Sequence, residues 1–205
     1  MITKARYVSP DQLTLFERAA AMRLFIGLLP EADVQSGFHA QQSAWPQMPE
    51  GAVFTRAERL HMTMHYLGDV DGDALPSLRS ALADIEMEDI ALDLRTPEVW
   101  GVAVVRPDDD ERLSALRARM CKPLRRLGLP VVGKWMPHVT LARNTDGAVP
   151  PDEVPAVHWP LRDFALIWSR FAPSGRGHYE VLARYPAAAS RGQAMPVGAA
   201  RLLST

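Results

Sequence analysis

Two short segments share one pattern: Leu60-His61-Met62-Thr63-Met64 and Pro137-His138-Val139-Thr140-Leu141 both read His, apolar, Thr, apolar. In an extended strand successive side chains alternate faces. His61 and Thr63 therefore share one face while Met62 and Met64 take the other, and His138 and Thr140 stand likewise against Val139 and Leu141. Burial of the apolar partners fixes the register, because a one-residue slip would drive both His and Thr into the core. The histidines are 77 residues apart, about half the ordered chain. That spacing suits two related lobes whose strands face one another across a groove.

Such a groove has a definite chemistry. Imidazole has an unperturbed pKa near 6.5, so of two rings one can be neutral and the other protonated at neutral pH. The neutral ring takes a proton from water while the charged ring gives one to a leaving oxygen. Threonine hydroxyls between them can donate to the non-bridging oxygens of a phosphate, where transition-state charge gathers. Attack and departure at phosphorus need groups on opposite sides, which a pseudo-twofold pair supplies. This chemistry requires no metal and no cofactor.

The elements that would hold these residues can be read along the chain. Strands are expected at Arg23–Leu29, Leu60–Leu67, Ile90–Leu94, Val99–Val105, Pro137–Ala142, Phe164–Trp168 and Tyr179–Arg184, from short apolar or alternating runs. Glu31–Gln42 is weakly helical. Leu75, Leu78, Leu82 and Ile85 form one helical stripe, with Asp73 as N-cap and Pro76 in the first turn. Leu113, Leu116, Met120, Leu124 and Leu127 form another, with Asp108–Glu111 at its start and Gly128 past its end. Pro123 should kink or interrupt that helix. Strands and helices mix without strict alternation, so an α+β fold with mainly antiparallel sheet is expected. No phosphate-binding glycine loop, dinucleotide fingerprint or C-x-x-C occurs.

Composition narrows the class. The chain has 205 residues, 47% hydrophobic and 23% charged, ordinary for a globular protein. No apolar run is long enough for a membrane span. The net charge of −1 argues against a binder of long nucleic-acid tracts and leaves room for a short anionic ligand. The single cysteine, Cys121, excludes an internal disulfide and fits a cytoplasmic location. Residues 1–21 read as an added N-terminal segment, 22–186 as the domain, and 187–205 as a flexible tail.

With their flanks, Arg59–Gly68 and Trp135–Arg143, the two motifs resemble those of the two-histidine (2H) phosphoesterases, and in particular RNA 2′,3′-cyclic phosphodiesterases, also called 2′-5′ RNA ligases. The resemblance spans about Met22 to Pro186. It implies a bilobal α+β fold, two mainly antiparallel sheets with flanking helices around a groove and related by a pseudo-twofold axis. It implies opening of a 2′,3′-cyclic phosphate, on an RNA 3′ end or small nucleotide, to a 2′-phosphomonoester. His138 would be the general base and His61 the general acid, with Thr63 and Thr140 holding the phosphate. Arg143 matches an arginine that helps to bind phosphate, and Phe25 a position that can contact the base. Reversal with a 5′-hydroxyl would give a 2′-5′ linkage. The chain departs from the commoner pattern in placing Met136, not Arg, directly before Pro137-His138; Lys134 and Trp135 are the nearest sources of charge and stacking. A monomer is expected.

Other readings remain open at this stage. One is a nucleotide- or RNA-binding module with the same groove and little turnover; another is a related enzyme acting on a different cyclic or 2′-5′-linked nucleotide. His65 lies on the face of His61 but reads better as filler, and metal binding by His61, His65 and His138 lacks a supporting carboxylate or thiol. Arg56 and Arg59 are placed to steer an anion or simply to face solvent. His178 reads as part of a turn into the last strand, and Cys121 as a helix residue without nucleophilic role.

Overall fold

The computed structural model describes residues 21–171 and 177–188. The added segment expected at the N-terminus, the glycine-rich turn around Ser174 and the tail from residue 189 lie outside the described residues. Among the described residues nine strands form one sheet: β1 (Met22–Leu28), β2 (Val53–Phe54), β3 (Met62–Val70), β4 (Ile90–Val99), β5 (Val102–Pro107), β6 (Val139–Arg143), β7 (Val157–Leu161), β8 (Asp163–Phe171) and β9 (Gly177–Pro186). Their order is β7-β4-β5-β6-β3-β1-β8-β9, with β2 paired to β6. Every pairing is antiparallel. The α+β antiparallel architecture is thus as expected, with one refinement. The two expected sheets meet at a seam, where β3 and β6 pair through Met62↔Val139 alone.

Four strands of this order lie on each side of that seam, with β2 added at β6, and the two motif strands are innermost in their halves. The helices cross over. α1 (Ala32–Ser43) follows β1 yet packs on β6 and β7 of the other half. Its buried Gln42 donates to the backbone carbonyls of Thr55 and Leu141, and Gln41 to those of Leu94 and Pro155. α3 (Glu111–Arg126) follows β5, and its Arg117 donates to the Met64 carbonyl on β3. α2 (Leu75–Ala83) packs on α3. One continuous core, including Met62, Met64, Val139 and Leu141, runs beneath both halves.

Several elements differ from the sequence reading, each for a local reason. The run Val99–Val105 is broken by a turn at Trp100–Gly101, where Gly101 has φ +74°, and β4 extends instead from Ile90 to Val99. β2 is too short to show a period, and β7, which buries Val157, Trp159 and Leu161 in alternation, is obscured in the sequence by Pro160 within it. The cap expected at Asp73 is displaced: Asp71 accepts from the Asp73 amide in a 3₁₀ turn before α2. Helix α3 has Asp110 as its N-cap, accepting from the Arg112 and Leu113 amides, and runs uninterrupted through Pro123. Proline there forfeits one bond near the helix end, while buried Leu116, Met120 and Leu124 hold the stripe in place. The ordered body also passes 186. Ala187 is buried and its N–H bonds the Arg162 carbonyl, while the Ala188 N–H bonds that of Met87.

Candidate active site

His61 and His138 each stand one residue before their strand, β3 and β6, rather than within it. The reason is local. A 3₁₀ turn over Ala57–Arg59 delivers the chain to His61, and Pro137, which lacks an N–H, precedes His138. Both rings make the same contact: Nδ1 of His61 lies 2.8 Å from the Arg59 carbonyl, and Nδ1 of His138 lies 2.8 Å from that of Met136. A carbonyl only accepts, so Nδ1 carries the proton in each ring. Nε2 is left as the atom available to a ligand, and the neutral tautomer is fixed twice over by backbone.

The seam decides which side chains meet. Continuing the antiparallel register from Met62↔Val139 sets His61 opposite Thr140 and Thr63 opposite His138. Two cavities follow this division. One, of about 250 Å³, is lined by His61, Thr140, Arg56, Arg59, Arg143 and Tyr179, among others. The other, of about 330 Å³, is lined by His138 and Thr63 together with Trp100, Trp135, Tyr66 and Met136, among others. Each histidine thus shares a cavity with the threonine of the other motif, not its own.

The first cavity is strongly cationic and has no carboxylate among its lining residues. Arg59 lies 4.5 Å over the Tyr179 ring and donates to its hydroxyl at 3.1 Å. Arg56 donates to the Gly177 carbonyl and pairs with Glu58. Arg143 is exposed at the rim. Burial, reinforced by the charges of Arg59, Arg143 and His138 and opposed by the Arg59 carbonyl, pushes the His61 pKa down to about 4. His61 is therefore neutral in the unliganded protein at neutral pH.

Phe25 is placed differently from its expected role as a base contact. It is 4% exposed, with its ring 5.0 Å from those of both His61 and Tyr179. It packs beneath the histidine and leaves no face for a base. His65 is also buried, with Nε2 against the Arg117 carbonyl, and burial lowers its pKa. His178 is an exposed residue of β9. Sequence reasoning misses two residues of the site, Tyr179 and Trp100. Tyr179 has only its place at the head of a strand to mark it, and Trp100 sits within an apolar run. Among the described residues no three or more His, Cys, Asp or Glu side chains gather as a metal site would require, and no helix is long and apolar enough to cross a membrane.

Comparison with known proteins places this geometry in context. The family model described as the 2′-5′ RNA ligase superfamily matches residues 45–170. No curated protein matches the chain. Among solved structures, E. coli LigT in apo form is 23% identical with a TM-score of 0.74, covering 82% of this chain and 99% of that one. A structure described as a phosphoesterase matches at 23% identity and the same TM-score, covering 82% and 98%. A protein of Thermus thermophilus, TT0787, matches at 22% identity and a TM-score of 0.66, covering 80% and 97%. At these identities the structural matches establish the fold. The family match spans more than half of the chain and includes both His-x-Thr motifs, and the chain belongs to the 2′-5′ RNA ligase superfamily.

Proposed function

We propose that the protein hydrolyses 2′,3′-cyclic phosphates, on RNA 3′ ends or short nucleotides, to 2′-phosphomonoesters. The observation that carries this reading is the pair His61 and His138, each with Nδ1 on a backbone carbonyl two residues back and each opposite the other motif's threonine. In the reaction His138 Nε2 takes a proton from water, whose oxygen attacks phosphorus. The bond from phosphorus to the 3′-oxygen breaks, and His61 Nε2–H protonates that oxygen. The product keeps the phosphate on the 2′-oxygen. Thr63 and Thr140 donate to the non-bridging oxygens, and Arg143 adds charge at the rim. With a 5′-hydroxyl in place of water the same steps form a 2′-5′ linkage.

Nucleotides are also the ligands of a structural relative: LigT has been crystallised with ATP, with 3′-AMP and with NADP+. The test is phosphorus NMR of a 2′,3′-cyclic nucleotide with the purified protein and EDTA. Conversion to the 2′-phosphate alone is expected, slowed about a hundredfold to ten-thousandfold in His61→Ala and in His138→Ala. Near wild-type turnover in either variant overturns the role given to that residue. Tight binding of a nucleotide without turnover of any cyclic substrate favours a binding module instead.

A further inference from the structure

The cavity beside His138 has an unusual lining. Among the described residues, five of the seven large hydrophobic side chains that remain exposed line one of the two cavities flanking the histidines. Tyr66, Val132 and Met136 lie on the His138 side, and Val53 and Phe54 on the other. Exposed apolar groups gathered at a cleft mark a ligand surface more often than chance solvent exposure. The His138 side also carries two indoles. The Trp100 ring meets His138 edge-on, with centroids 5.0 Å apart.

Both indoles are held by their own N–H. Trp100 donates to Glu98 at 2.6 Å, and Glu98 is paired with Arg106 at 3.0 Å. Trp135 donates to the Thr63 carbonyl at 2.9 Å, and the Arg117 guanidinium lies 5.1 Å from the centre of its ring. With their donors occupied, what the indoles present to a ligand is aromatic surface. Their fixed placement also lowers the ordering cost of binding. Arg117 is likewise committed, to the carbonyls of Met64 and Val132. No Asp, Glu, Asn or Gln lines this cavity, so no carboxylate or amide side chain is there to make a bidentate contact with a base edge; its free polar tips are those of Thr63, Tyr66, Lys134 and His138.

The geometry points to a nucleobase-stacking subsite beside His138, in which a base lies against Trp100 and Trp135 and is recognised by its face rather than its edge. This deepens the phosphodiesterase reading, on which it rests for the phosphate held between the histidines. The phosphate between the histidines is thereby flanked by Arg56, Arg59 and Arg143 on the His61 side and by the two indoles on the His138 side, where Arg117 is committed to backbone carbonyls. Base-on-aromatic stacking tolerates all four bases because each offers a π face.

The test is calorimetric binding of 2′-AMP and of its base-free analogue, ribose 2-phosphate, to the wild type, Trp100→Ala and Trp100→Phe. The expected result is binding of 2′-AMP about five- to a hundredfold tighter than of ribose 2-phosphate in the wild type. That advantage is lost in Trp100→Ala and largely kept in Trp100→Phe, and the other 2′-nucleotides bind within about tenfold of 2′-AMP. Equal affinities for the two ligands in the wild type overturn the proposal, as does an equal loss for both ligands in Trp100→Ala, which would make Trp100 only a support for His138. A preference for one base beyond a hundredfold overturns recognition by the face. Base-dependent binding without hydrolysis of any cyclic phosphate leaves the subsite standing and removes the phosphodiesterase reading instead.

Discussion

Burial and neighbouring positive charge act on His61 in one direction, and two of those charges, Arg59 and Arg143, line its own cavity. A ring held near pKa 4 arrives neutral, so a general acid at this position must take up its proton with the substrate. The phosphate anion supplies the means, since it offsets Arg59 and Arg143 and favours the charged imidazole. We expect the His61 titration, followed by NMR of its ring protons, to move upward when 2′-AMP binds, and 2′-AMP binding to tighten as pH falls toward the free-protein value. A His61 pKa that stays near 4 in the complex would exchange the roles of the two histidines. The motif residues themselves are legible because strand alternation makes His and Thr share a face whatever the surrounding fold. Tyr179 and Trp100 are not, because their roles arise from contacts across the sheet, with Arg59 and with His138, that no local pattern encodes.

At the level of elements, β1 forms the floor beneath His61. Gly27 pairs with Thr63, and a Cβ there would lie 3.0 Å from the Phe25 ring and 3.1 Å from the Met62 carbonyl. The ring is packed against His61, Tyr179, Ala165 and Ile167, and the carbonyl belongs to the residue at the seam. Gly27→Ala should therefore cost about 1–3 kcal/mol of stability, read from a urea midpoint, and reduce turnover through the displaced Phe25. An unchanged midpoint would show that β1 yields without strain. The strands at 22–28 and 62–70 and the helix at 111–126 are close to readable, because each buries a periodic face. The pairing of β2 with β6 is not, since a two-residue strand has no period and depends on Gln42 bridging Thr55 and Leu141. Pro123 misleads in α3 because the sequence shows the one missing bond without the buried stripe that holds the same turn.

For the whole molecule, half-buried His61 and buried His65 set a direction in pH. The folded-state pKa of His61 lies below its unfolded value, so as pH falls the unfolded chain takes up the proton first. Stability from this group is complete above about pH 6.5 and is lost toward pH 4, amounting to about 3 kcal/mol. His65 has the same sign. Asp110 and Glu98, held low by Arg112 and Arg106 respectively, lose their share as pH falls through their own folded values. The Tm should thus drop between about pH 7 and 4.5 in calorimetry, with a shallower slope in His61→Asn; a Tm level across that interval would contradict the depressed pKa of His61. The α+β class is readable from strands and helices that mix without alternating, and the two-lobed plan from the spacing of the motifs. That the lobes share one sheet is not, because a single bridging pair leaves no mark on either strand's pattern.

The register at that seam also bears on how such a chain could arise. Because His61 faces Thr140 and Thr63 faces His138, neither half holds a complete histidine–threonine set by itself. Two copies of one half, meeting strand against strand about a twofold axis, would create both sets at once, the logic of an isologous dimer contact enclosed within one polypeptide. What duplication and fusion then permit is divergence. Once the halves are joined, the cavity beside one histidine is free to gather Arg56, Arg59 and Arg143 and the cavity beside the other Trp100 and Trp135, an asymmetry that no dimer of identical halves could hold.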